Sequence, residues 1–232
     1  MTRYMLVTGT DTGVGKTVVT AALAVHLAGR GLRVAVVKPV QTGLLAGEPG
    51  DADDVRRLAG LPEVHELQRV PEPLAPESAA HLSGTVLPGV DELARRTAEV
   101  AGGADVVLVE GAGGVAVRLD REGRTLLDLA RALEWHTTAD SGVDVLLVVR
   151  AGLGTLNHTG LSVDAIRRAG LDLRGLVIGS WPDDPGLAAR TNVVDLPRTT
   201  GVPLLATLPA GAGTLAPAAF TAAAAGWFTT PV

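Results

Sequence analysis

Six short runs of Val, Leu and Ile punctuate this 232-residue chain: RYMLVTG, LRVAVVKP, ADVVLVEG, VDVLLVVR, LRGLVIGS and VPLLATLP. They are apolar on both sides of the two-residue strand period, so each is expected to be buried on both faces of a sheet. Helical patterns fall between them, over residues 16 to 29, 53 to 59, 90 to 101, 156 to 169 and 187 to 199. Strand alternating with helix demands a mostly parallel sheet of about seven strands with helices on both faces, a three-layer α/β arrangement. VAVRLDREGRTLLDL reads as a hairpin turning at Arg121, Glu122 and Gly123 and running into a helix that ends near Leu133. Residues 43 to 90 are rich in Gly, Pro and acid. No repeat occurs, and no linker is long enough to separate two domains, so residues 1 to 232 are expected to form one.

Polar and glycine-rich residues gather after Thr8, Val37, Val109, Val149, Ile178 and Leu208, at the carboxyl ends of the strands. Ligands of open parallel sheets bind at that edge. The first such stretch, GTDTGVGKT at residues 9 to 17, lies between a strand and a helix. It is one residue longer than the G-x-x-x-x-G-K-[ST] phosphate loop. In that setting the amides from Gly13 through Val14, Gly15, Lys16 and Thr17 to Val18 would cradle phosphate at a helix N-terminus. Lys16 would offset β- and γ-phosphate charge and the Thr17 hydroxyl would ligate Mg²⁺. The fold class is then that of a P-loop NTPase.

Of the 20 basic residues, 18 are arginine, and the two lysines, Lys16 and Lys38, both fall inside strand-end motifs. A lysine kept against that bias belongs where a compact, mobile ammonium is needed. Lys38 opens KPVQTG (residues 38 to 43), with Thr42 near its end; GDADD (50 to 54) offers acids at a helix start, where Asp53 and Asp54 read as caps. VVLVEGAGG places Glu110 at the end of a buried strand before Gly111, Ala112 and Gly113, where an acid suits a metal beside an anion. In GLGTLNH the amides of Thr155, Leu156 and Asn157 either simply open a helix or bind a carboxylate; the residues alone leave these two readings even.

A net charge of -5 carries no electrostatic footprint for nucleic acid or an anionic membrane. With no cysteine, disulfides, thiolate metal sites and thiol nucleophiles are excluded, and a cytoplasmic location fits. No apolar run approaches the roughly 18 residues of a membrane span, and the short run Tyr4 to Val7 predicts no signal peptide.

In order and in residues, GTDTGVGKT, KPVQTG, Asp51 of GDADD, VEGAGG and LGTLNH resemble the dethiobiotin synthetase family, whose phosphate loop is lengthened in this way. The resemblance spans residues 9 to 158. It implies an ATP-dependent ligase forming C–N bonds, which closes a cyclic urea from 7,8-diaminopelargonic acid and CO₂ or bicarbonate with Mg²⁺, in a homodimer with shared active sites. By position it makes Lys16 and Lys38 the catalytic pair and Thr17, Asp51 and Glu110 the metal ligands. Thr12, Lys38 and Thr42 would contact the diamine or its carbamate, and Gly113, with Thr155, Leu156 and Asn157 of the partner, would take its carboxylate. Gly179, Ser180, Pro209, Ala210 and Gly211 would line the base pocket. Two departures stand out: Gly13 replaces a glutamate common in the family, and Gly179-Ser180 replaces an asparagine that reads adenine, which leaves CTP as an alternative to ATP. A ParA/MinD-type partitioning ATPase is the alternative, but Thr10-Asp11 holds no early lysine and AAFTAAAAGWF at 218 to 228 has no cation for a membrane. A cobyrinate-type amidotransferase would need a cysteine nucleophile, which this chain lacks.

Overall fold

The computed structural model describes residues 2–135 and 142–228. Seven parallel strands form the main sheet: β1 (Arg3–Gly9), β2 (Val34–Lys38), β4 (Val64–Glu66), β6 (Val106–Glu110), β7 (Val143–Val149), β8 (Asp172–Trp181) and β9 (Leu204–Pro209), in the order β4-β2-β6-β1-β7-β8-β9. Two-residue strands β3 (Gln41–Thr42) and β5 (Arg69–Val70) pair separately, also in parallel. The helices are α1 (Lys16–Ala28), α2 (Asp51–Ala59), α3 (Pro76–Ser83), α4 (Val90–Val100), α5 (Leu126–Trp135), α6 (Thr155–Arg168), α7 (Leu187–Thr200) and α8 (Pro217–Ala224).

The apolar runs alternate between two cores. Along β1, Tyr4 and Leu6 enter the core shared with α4, α5 and α6, whereas Met5 and Val7 enter the one shared with α1, α2 and α8. Burial on both sides is what a parallel sheet between helical layers requires. The central strand β1 lies between β6 and β7, so the chain winds outward in both directions from it. A strand order that reverses about β1 opens a crevice beyond its carboxyl end.

Three features differ from the sequence expectations. The helix expected over 53 to 59 starts at Asp51. The hairpin expected in VAVRLDREGRTLLDL reduces to one antiparallel bridge, Arg118 to Thr125. Its turn is held instead by the Asp120 carboxylate, which accepts the backbone N–H groups of Val90, Glu122 and Arg124 and the Arg124 guanidinium. Finally, β3, β4, β5, α3 and α8 had no counterpart in the sequence reading.

Candidate active site

The phosphate loop leaves β1 at Gly9 and enters α1 at Lys16 through two left-handed glycines, Gly13 (φ 72°) and Gly15 (φ 97°). The first turn of α1 therefore opens with N–H groups that have no intrahelical acceptor. The surplus residues are tied down. Asp11 Oδ1 accepts the Thr12 N–H at 2.7 Å, Oδ2 accepts Arg150 Nη2 at 2.8 Å, and its carbonyl accepts Lys16 Nζ at 3.0 Å. These bonds, the Thr12 N–H first and then Arg150, hold the Asp11 carboxyl below its usual range.

Beside the loop lies a cavity of about 800 Å³. Its walls bring together five charged or metal-competent side chains named from sequence: Lys16, Thr17, Lys38, Asp51 and Glu110. Thr12, Gly13, Gly15, Val18 and Thr42 also line it, as do Ala112 and Gly113. Thr12 Oγ1 would lie 3.5 Å from a Cβ at Gly113, so these two candidate substrate contacts are neighbours.

At the base of the cavity Lys38, at 4% exposure, and Glu110, at 1%, are buried together. Lys38 Nζ lies 2.5 Å from Asp51 Oδ2 and 3.0 Å from Glu110 Oε1, and donates to the Gly111 carbonyl at 3.3 Å. The same Glu110 oxygen accepts the Thr17 hydroxyl at 2.9 Å. Burial works against the Lys38 charge, but Glu110 and Asp51 outweigh it and the ammonium pKa is raised. Lys16 goes the other way: burial, then the nearby Lys38 charge, lowers its pKa.

Hard oxygen donors of this kind, two carboxylates and a hydroxyl facing one point, suit Mg²⁺. That one ammonium reaches both carboxylates shows that they converge closely enough to share a cation.

The remaining sequence-named residues lie elsewhere. Val14 is the buried residue of the loop and Gly111 packs against Leu126. Gly179 serves the loop by close approach: a Cβ there would come within 2.1 Å of the Val14 carbonyl oxygen, and one at Gly15 within 2.6 Å of the Gly179 oxygen. Beside it the β8 and β9 ends are joined by Ala210 N–H donating to the Trp181 carbonyl at 2.7 Å. Gly179, Ser180, Pro209, Ala210 and Gly211 do not line the cavity. Thr155, Leu156 and Asn157 open α6 behind left-handed Gly154 and do not line the cavity of their own chain either.

The Gly179 packing makes a direct prediction. Gly179→Ala must push β8 and the phosphate loop apart, an overpacking cost of about 1–3 kcal/mol. Thermal denaturation should show a melting point lowered by several degrees, and ATP titration a weakened affinity. An unchanged melting point and affinity would contradict the packing role.

Two residues with evident structural work here carried no role in the sequence reading, Asp11 and Gln41. Asp11 was visible as part of the surplus in the loop; its partner Arg150 is 139 positions away.

These features define a P-loop nucleotide-binding protein. Residues 3–217 match a family model described as an AAA domain. Solved structures of the same shape include the cell division ATPase MinD of Pyrococcus furiosus, with a TM-score of 0.56 and 23% identity over 97% of each chain. The septum site-determining protein MinD of Pyrococcus horikoshii, complexed with Mg-ADP, gives a TM-score of 0.54 and 20% identity over 97% of this chain and 95% of that one. Such low identity speaks for the fold alone.

Closer sequences narrow the class. The ATP-dependent dethiobiotin synthetase of Rhodococcus jostii is 53% identical over 97% of this chain and 94% of its own length. That of Streptomyces coelicolor is 51% identical over 98% and 92%, and that of Mycobacterium avium 49% over 97% and 94%. The chain belongs to the ATP-dependent dethiobiotin synthetase family, one of C–N-bond-forming ligases. Among the described residues, no helix is long and apolar enough to cross a membrane.

Proposed function

We propose that this chain, as one ligase domain, converts 7,8-diaminopelargonic acid and CO₂ to dethiobiotin at the expense of a nucleoside triphosphate. The observation that carries the reading is the joint lining of one cavity by Lys16, Lys38, Thr17, Asp51 and Glu110, in a chain about half identical to synthetases of that name.

The reaction begins as one amine adds to CO₂ and loses a proton, giving a carbamate. A carbamate oxygen then attacks the γ-phosphorus as the bond to the β-phosphate oxygen breaks. The second amine finally attacks the carbonyl of the mixed anhydride; phosphate leaves, the amine loses a proton and the ring closes. Negative charge collects twice, on the carbamate and on the transferred phosphoryl group, so the site needs fixed positive charge. Lys16, in the first turn of α1, meets the phosphates together with the loop amides. Lys38, released from its carboxylates, meets the carbamate and the transferred phosphoryl oxygens. Thr17, Asp51 and Glu110 would hold Mg²⁺, which when bound would supply positive charge beside the phosphate oxygens. Thr12 and Thr42 orient the diamine and Gly113 meets its carboxylate, a positioning task that lowers the entropic cost of ring closure.

The substrate carboxylate is assigned to the α6 N-terminus of a partner subunit, at Thr155, Leu156 and Asn157. Two facts support a homodimer: those residues do not line the cavity of their own chain, and the adjacent helices α6 and α7 expose Leu161, Leu187 and Val194. The end of β8, without an asparagine, leaves base recognition to backbone groups around Gly179, Ser180 and Pro209 to Gly211, so ATP and CTP are both candidate phosphoryl donors. The cytoplasm suits a cysteine-free chain of this chemistry.

The decisive assay mixes the protein with diaminopelargonic acid, bicarbonate, Mg²⁺ and either ATP or CTP, and follows dethiobiotin by mass spectrometry. Product with at least one triphosphate is expected. No product with any of them would end this reading.

A further inference from the structure

Gln41 sits in KPVQTG between Lys38 and Thr42, is only 6% exposed, and faces the cavity. Its backbone N–H and both polar atoms of its side-chain amide are engaged. Its backbone N–H donates to the Gln68 carbonyl at 2.8 Å, and Nε2 donates to the Thr42 carbonyl at 3.0 Å. Its Oε1 accepts the backbone N–H of Asp51 at 3.0 Å.

That last bond fastens the first residue of α2 to the strand-end loop carrying Lys38. The opening N–H groups of a helix need acceptors from outside its own ladder. The acid three residues in, Asp53, serves the Gly50 N–H at 2.9 Å, and Gln41 serves the next one, that of Asp51. The fit is close: a Cβ at Gly50 would lie 3.2 Å from Gln41 Oε1 and 3.1 Å from Arg69 Nη2. Arg69 braces the same segment from the other side, donating to the Leu45 carbonyl at 2.9 Å and the Glu48 carbonyl at 2.5 Å. Asp51, whose carboxylate meets Lys38 at 2.5 Å, therefore has its backbone fixed by a neighbour that never touches that carboxylate.

The geometry points to Gln41 as the positioning residue for Asp51. Its amide holds the α2 N-terminus so that the Asp51 carboxylate stays aimed at the point shared by Lys38, Glu110 and Thr17. This rests on the reading of Asp51 as a metal ligand. Groups that orient a ligand commonly change metal affinity about 10- to 100-fold when removed.

The test measures Mn²⁺ binding by electron paramagnetic resonance in the presence of ADP, with half-saturating Mg²⁺ and the KM for the diamine measured alongside. Gln41→Met keeps the side-chain length and removes both polar atoms. It is expected to weaken Mn²⁺ about tenfold and raise the half-saturating Mg²⁺ while leaving the diamine KM unchanged. Gln41→Glu retains the acceptor for the Asp51 N–H and should bind Mn²⁺ at least as tightly as the wild type. The double variant Gln41→Met with Asp51→Asn should be no weaker than Asp51→Asn alone, because the glutamine acts through the aspartate. Wild-type affinity in Gln41→Met, additive losses in the double variant, or equal losses in Gln41→Glu and Gln41→Met would each overturn the proposal. If Asp51→Asn itself leaves Mn²⁺ binding intact, the metal reading falls, a result distinct from failure at Gln41 alone.

Discussion

Lys38→Arg is expected to lower kcat by about 10²- to 10³-fold while ADP affinity stays close to the wild-type value. Steady-state turnover and calorimetric titration of ADP measure the two separately. The substitution keeps the charge, so the buried Glu110 is not left facing an empty hole. What it removes is compactness. Three oxygens converge on a single ammonium nitrogen, at 2.5 Å from Asp51, 3.0 Å from Glu110 and 3.3 Å from Gly111. A planar guanidinium spreads its donors over a fork and cannot place one nitrogen at that focus. In the proposed mechanism it also could not pass as a small point charge from the carboxylates to the transferred phosphoryl group. Nucleotide affinity survives because the phosphate loop and Lys16 are untouched. A wild-type rate in Lys38→Arg would show that charge alone matters there and that the scarcity of lysine in this chain carries no functional meaning.

The two lysines divide the work through their surroundings. Lys16, whose pKa is lowered by burial and by Lys38, has its ammonium bound only to the Asp11 carbonyl and lacks a carboxylate partner within salt-bridge distance among the described residues. An anion arriving at the loop relieves that deficit. Lys38 already has two carboxylates and a raised pKa. A divalent cation held by Asp51 and Glu110, as proposed, would compete with it for the same oxygens, so metal loading would free Lys38 toward substrate. Lys38→Met should accordingly raise the Mn²⁺ affinity of the nucleotide-free protein, and an unchanged or lower affinity would contradict that exchange.

What could be read from sequence was local. Each strand end lies next to the glycine or lysine that follows it, so GTDTGVGKT, KPVQTG and VEGAGG announced both the sheet and the crevice. Lys16, Thr17, Lys38, Asp51 and Glu110 meet in one cavity because α1 and α2 begin, and β2 and β6 end, at the same edge. What escaped depends on partners far along the chain or on elements too short to show a period. β3 and β5 have two residues each and exist only by pairing with one another. Gln41 looks like any loop glutamine until Asp51, ten positions on, donates to it. The turn at Arg121 to Gly123 resembled a hairpin because its polarity alternates, yet Asp120 satisfies its N–H groups locally and no ladder is needed. For Gly179 the sequence suggested a base pocket, and the close approach of β8 to Val14 that its missing side chain permits came to light only in the structure.

Leu161→Asp is expected to yield a monomer with kcat/KM for the diamine reduced at least about 100-fold, a loss of roughly 2.7 kcal/mol, and ATP affinity preserved. Single exposed apolar residues are ordinary, but clusters mark partner surfaces. Leu153, 94% exposed, stands just before α6, Leu161 projects from α6, and Leu187 and Val194 project from α7, which packs against it. In the proposed homodimer a charge placed on that face would be introduced in both copies, so the interface would be penalised twice. Sedimentation velocity gives the oligomeric state, and a fully active monomer would refute the shared site. A mixing experiment then isolates the sharing itself. Lys16→Met disables the phosphate loop, and Gly154→Val distorts the α6 start, because Gly154 adopts φ 91°. Each variant alone should be inactive. After subunit exchange half of the dimers are mixed, and each holds one site with an intact loop and an intact partner helix, so about a quarter of wild-type turnover should return. If α6 served its own chain, no mixed dimer would contain a complete site and the mixture would stay inactive.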